Sequence, residues 1–188
     1  MKQEKPKKPG KGRKMPNWCE NTLRIRGKKE DLEAFKKQLE DSKLQNKDIC
    51  IFETFHPMPK EYRGVNSPNR DEDLAKELTE KYGSSDWYDW ANSNWGTKWG
   101  CCDTRWHIDE PLPTDHDELY DLEMYYQTAW SPGDDCLENI FQGLDHLSFF
   151  LTYEEPGMGF AGSLFVRNGT TEYKETREYV ADDIESMW

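Results

Sequence analysis

LEMYYQTAW (residues 122–130), SPGDDCLENIFQGL (131–144) and DHLSFFLTYE (145–154) read in succession as strand, helix and strand. Leu122, Met124, Tyr126, Thr128 and Trp130 alternate with Glu123, Tyr125 and Gln127, the period of a strand with one face buried. Ser131 reads as the cap of a helix, Pro132 as its first residue, and Asp134 as the acid three residues past the cap. Leu137, Ile140, Phe141 and Leu144 make one apolar stripe, and Gly143 suits the helix end. Alternation returns from His146 to Glu154, with Leu147, Phe149, Leu151 and Tyr153 on one side.

Downstream, Glu155-Pro156-Gly157-Met158-Gly159 is a turn and Phe160 to Arg167 a further strand. Asn168-Gly169 is a strong hairpin signal, so another strand follows from Thr170, and a short helix is expected at 179–188. Upstream, Leu23 and Ile25 set a strand over Asn21 to Arg26, ended by Gly27. Leu32, Phe35 and Leu39 then predict a helix over 30–41, with Glu30 and Asp31 at its positive end. Residues 49–56 read as a second strand, stopped by Pro57 and Pro59. Residues 57–118 interrupt this order as an insertion that contains a helix over 69–82, ended by Gly83. The expected fold is α+β: a ferredoxin-like antiparallel sheet with two helices on one face and a Trp-rich insertion.

The composition is consistent with a folded domain of polar exterior. Of 188 residues, 35% are hydrophobic and 33% charged, and 8 Trp, 9 Tyr and 8 Phe supply large apolar surfaces to a core poor in aliphatics. No apolar run approaches the roughly 18 residues that cross a bilayer, and no leader precedes a cleavage site, so a cytoplasmic protein without a membrane partner is expected. Residues 1–14 carry seven cations and one acid and read as a disordered basic tail. The formal net charge of −12 therefore leaves −18 on residues 15–188, a body that repels phosphate backbones and attracts basic partners. The five cysteines are odd in number and form no C-x-x-C, which fits free thiols in a reducing compartment.

Five segments occur together in a recognisable order. They are Met15-Pro16-Asn17-Trp18-Cys19-Glu20-Asn21, Trp87-Tyr88-Asp89-Trp90, Asn94-Trp95-Gly96-Thr97-Lys98-Trp99, Thr128-Ala129-Trp130-Ser131-Pro132, and Tyr153-Glu154-Glu155-Pro156-Gly157 running into Phe160-Ala161-Gly162. The set resembles the YubB-like ferredoxin-like domain family of bacteriophages, plasmids and bacterial genomes, from about Met15 to Arg167. The resemblance implies the fold, an origin in a mobile element, and no assigned activity.

No residue pattern points to an enzyme. His56, His107, His116 and His146 stand in no catalytic motif, and Ser163 lacks the G-x-S-x-G elbow. No Walker loop or dinucleotide fingerprint occurs, and no cofactor is expected. Asp86, Asp89 and Asp103, or Cys101, Cys102 and His107, are weighed as metal ligands, and no metal is expected from either set. The candidate binding residues are Trp87, Trp90, Trp95, Lys98 and Trp99, with Asp103, Asp109 and Glu110 from the acidic stretch 103–123. The tryptophans form either a stacking surface for bases or an aromatic mini-core that anchors the insertion. The expected function is a non-enzymatic mobile-element protein that binds a host protein through an acidic surface, in a counter-defence or regulatory role. The alternative is a nucleic-acid-binding module that uses residues 1–14 and the Trp segment.

Overall fold

The computed structural model describes residues 17–43, 49–115 and 118–180. The tail at 1–14 lies outside them, as does the helix expected at 179–188 apart from Tyr179 and Val180, which take no regular structure. The elements are β1 (Trp18–Gly27), α1 (Lys29–Lys43), α2 (Ile51–Phe55), α3 (Glu72–Tyr82), α4 (Trp87–Asn94), β2 (Cys102–Pro113), β3 (Tyr120–Ala129), α5 (Asp134–Gln142), β4 (Ser148–Glu155), β5 (Phe160–Arg167) and β6 (Thr170–Glu178). No helix among the described residues is long and apolar enough to cross a membrane.

The six strands form one sheet in the order β2-β3-β1-β4-β5-β6, and each neighbouring pair is antiparallel. The series β1-α1-β2-β3-α5-β4 with spatial order β4-β1-β3-β2 is the ferredoxin-like arrangement, and the β5–β6 hairpin widens it. Asn168 and Gly169 take positive φ at 50° and 70°, which matches the twist of that hairpin.

One face of the sheet is covered. Leu23, Ile25, Leu122, Met124, Tyr126, Phe149 and Leu151 are all fully buried there, which is the outcome their alternation requires. Both expected helices lie on this face. Phe141 of α5 stacks on Phe149 at 4.2 Å between ring centroids, and Phe35 of α1 meets the same ring at 5.7 Å. Asp71 caps α3 by accepting from the Leu74 amide, and Gly83 ends it at φ +83°.

Three expectations are corrected. Residues 49–56 are not a strand: they hold the short helix α2, because the adjacent Ile51 and Phe52 are both fully buried, which a one-sided strand does not allow. The second strand of the fold is instead β2, inside the stretch read as insertion, so the inserted segment lies between α1 and Cys102. Finally, β3 stops at Ala129, and α5 begins at Asp134 without Ser131 or Pro132. Gly133 precedes α5 at φ +71°, where a Cβ would lie 2.4 Å from the Trp95 carbonyl and 2.8 Å from the Phe52 ring. The Ser131 hydroxyl donates to the Gly96 carbonyl in place of capping the helix.

Candidate functional site

The tryptophans of the insertion divide into two groups. Trp90 and Trp95 are buried, edge to face at 5.4 Å, and Trp95 also packs on Phe52. The Trp95 indole N–H donates to the His56 carbonyl at 2.9 Å, so its polar atom is satisfied internally. These two rings are core, the mini-core reading. Trp87 is half-buried with its ring edge-on to Tyr88. Trp99 is 41% exposed, and the Lys98 ammonium lies 4.3 Å from its centroid and 5.5 Å from that of Tyr88.

Asp86 is buried as the cap of α4, where it accepts from the Tyr88 and Asp89 amides at 2.9 and 3.1 Å. Asp103, Asp109 and Glu110 stand exposed along the edge strand β2. Among the described residues, no three His, Cys, Asp or Glu side chains come together to hold a metal, so neither ligand set weighed from the sequence is assembled.

Four of the five sequence segments, with Asn17 to Asn21 of the first, converge on one end of the sheet. This end is made by the start of β1, the ends of β3 and β4, and the start of β5. The Thr97 hydroxyl donates to the Ala129 carbonyl at 3.0 Å and accepts from the Ala129 amide at 3.1 Å, which clamps the tryptophan loop to β3. The Trp130 amide donates to the Asn17 carbonyl, and Trp130 sits at φ +74° with its ring 46% exposed. A bulky residue in the left-handed region is held there by its surroundings. Trp18 and Trp99 meet at 6.0 Å. The Asn21 amide, fully buried, donates to Cys19 O, Tyr126 O and Thr128 Oγ1. Glu155, 2% exposed, accepts from the Gly157 and Met158 amides and so shapes the turn after β4.

From this end a groove of about 530 Å³ runs over the uncovered face of the sheet. Cross-strand pairing sets its rows. Glu20 of β1 stands opposite Glu154 of β4, Thr22 opposite Thr152, and Arg24 opposite Phe150. Tyr125 of β3 stands beside Thr22. Thr22, Thr152, Tyr125 and Phe150 line the groove together with Arg24 and Arg177. Arg24 is held by Glu123 at 3.0 Å, and His107 approaches that carboxylate at 3.4 Å. Arg105 lies 4.3 Å over the Tyr125 ring.

Glu20 and Glu154 are the anomaly of the groove. Like charges directly opposite on one face destabilise a sheet. Both Glu20 oxygens accept from the Gln127 amide, at 2.9 and 3.2 Å. Among the described residues Glu154 has no hydrogen-bond or ion-pair partner, and burial and then the Glu20 charge push its carboxyl above the usual range. The sequence reasoning missed both residues. The signal lay in the motifs themselves, since each is the outward-facing member of a strand inside a quoted segment.

Comparison with known proteins supports the fold. No curated protein matches the chain. A crystal structure of a protein api92 from Yersinia pseudotuberculosis aligns with 89% of this chain and 99% of its own, at 10% identity and a TM-score of 0.47. Residues 105–186 match the family model described as the ferredoxin-like domain in Api92-like protein, so the likeness shown is of this part of the chain to that domain.

Proposed function

We propose that the chain is a non-enzymatic binding module that holds a basic segment of a partner protein in the groove of its uncovered sheet face. The observation that carries this reading is the opposed pair Glu20 and Glu154 at the side of an aromatic-walled groove. Arg24 and Arg177 also line the groove, but neither carboxylate is ion-paired among the described residues, which favours a ligand that brings a cation to them. Tyr125 and Phe150 offer apolar walls to the stem of a Lys or Arg side chain. The net charge of −18 on residues 15–188 adds long-range attraction for such a partner. A host protein as partner and a counter-defence or regulatory role in a phage or plasmid rest on the resemblance to YubB-like proteins, and a cytoplasmic setting rests on the free thiols.

Capture from nuclease-treated bacterial lysate with the full chain tests the reading. A stoichiometric protein that is retained by the wild type and released by the double variant Glu20→Gln/Glu154→Gln supports it. Equal retention by both chains overturns it.

A second reading is favoured by the aromatic row Phe150, Phe165 and Tyr173, which lies across β4, β5 and β6 on the same face. Exposed rings on such a sheet are a stacking platform for nucleobases, with about 1–3 kcal/mol per base. Material lost on nuclease treatment favours this reading. Trp90 and Trp95 are buried, so this reading rests on the rings of the sheet.

A further inference from the structure

Cys50 and Cys101 bracket the inserted segment. Cys50 precedes α2, and Cys101 precedes β2. They are 51 positions apart in sequence, and the Cys101 amide donates to Cys50 Sγ at 3.2 Å. Gly100 permits this approach: a Cβ on it would lie 2.9 Å from Cys50 Sγ. The two thiols are 5% and 6% exposed.

We propose that Cys50 and Cys101 are an oxidation site at which a small peroxide converts the thiol pair into a disulfide that staples the inserted segment at its base. The Cys50 thiolate attacks one oxygen of hydrogen peroxide and becomes a sulfenic acid. The other oxygen leaves as hydroxide and takes up the thiol proton to form water. The Cys101 thiolate then attacks Cys50 sulfur and displaces the sulfenic hydroxyl, which leaves as water with the Cys101 proton. Two thiols lose two electrons and two protons in total, and one peroxide becomes two waters.

The surroundings assign the order of attack. Burial pushes the Cys50 thiol up, but hydrogen bonds from the Cys101 thiol, the Cys101 amide and the Glu53 amide outweigh it and hold Cys50 below the ordinary thiol range. Burial and its role as donor to Cys50 push Cys101 up. Burial also raises Cys19, and it pushes Cys136 up to about 11, so neither competes as the attacking sulfur.

The test uses the reduced full chain exposed to hydrogen peroxide, denatured, alkylated, digested and read by mass spectrometry. The expected result is a peptide linked through Cys50 and Cys101, loss of two of the five alkylatable thiols, and reversal by dithiothreitol. Closing a loop of this length raises Tm by roughly 5 °C or more in the oxidised protein. Cys50→Ala and Cys101→Ala each remove the linked peptide, and Cys136→Ala leaves it. Five alkylatable thiols after peroxide, a sulfinic acid at Cys50 with no linkage, or a bond that joins any other pair overturns the proposal. The wild-type measurement decides even if a variant fails to fold.

Discussion

The two faces of one sheet are built from the same strands and serve opposite ends. On the covered face, Leu23, Leu122, Met124, Phe149 and Leu151 are buried, α1 and α5 lie over them, and α2 packs against both helices. The inserted segment thickens that layer, with Phe55 of α2 stacked on Phe35 of α1 and Trp95 against Phe52. On the other face the same strands carry Glu20, Arg24, Tyr125, Phe150 and Glu154, and no helix among the described residues covers them. On the covered side Asn21 and Thr97 satisfy their polar atoms internally, while the Tyr126 hydroxyl is buried without a hydrogen-bond partner among the described residues. The uncovered face holds the like-charged pair Glu20 and Glu154, and neither carboxylate is ion-paired among the described residues. The proposed binding reading assigns that pair to a partner. If so, mutations on the two faces must separate stability from binding.

The largest expected effect is on the covered side. Trp95→Ala removes a buried indole, its contacts with Trp90 and Phe52, and the hydrogen bond to His56 O. It should cost about 3–5 kcal/mol in a urea titration. A loss below about 1 kcal/mol would show that the inserted segment does not belong to the core. Next is Thr97→Val, which leaves the buried Ala129 amide without its acceptor and should cost about 1–3 kcal/mol by the same titration.

The uncovered face should behave in the opposite way. Glu154→Gln relieves the opposition to Glu20 and should stabilise by about 0.2–1 kcal/mol at neutral pH while weakening capture of a basic partner. The pH dependence has a definite sign. The Glu154 carboxyl is raised in the folded protein, so its ionised form destabilises the fold above that raised value. The gain from Glu154→Gln is therefore present at neutral pH and disappears as pH falls through the raised value towards the ordinary carboxylate range. Thermal melts of both proteins across that range measure it. A variant that is less stable than wild type at neutral pH would break the contrast between the faces.

The smallest effect belongs to the exposed rim of the insertion. The Lys81 ammonium and Tyr82 hydroxyl pull the Glu61 carboxyl down to about 2. Its contribution is present above the ordinary carboxylate value and is lost as pH falls towards 2. Glu61→Gln should lower Tm slightly at neutral pH and leave it unchanged in strong acid, because solvent screens an exposed pair. Partner capture should not change.

Local pattern determined much of this protein. Alternation at 122–130 and 146–154, the stripes of α1 and α5, the Asn168-Gly169 hairpin and the Gly83 stop each depend on neighbours within a few residues, and each stands in the structure close to where the sequence puts it. Strand β2 was legible too, since Cys102, Thr104, Trp106 and Ile108 alternate with Asp103, Arg105, His107 and Asp109. Its acidity hid it, because an edge strand tolerates charge on its open side. The residues 49–56 carried the reverse error. Ile49 to Phe55 is apolar enough for a strand, but α2 packs against α1 and α5 and must bury Ile51 and Phe52 side by side. Ser131 and Pro132 hold strong helix-start signals, yet Gly133 fits against Trp95 and Phe52 where a larger residue would clash, and the helix begins after it. Tertiary structure alone decided the binding face. That Glu20 and Glu154 oppose each other is a property of register between strands more than a hundred residues apart in the chain, and register follows from which faces the whole sheet must bury.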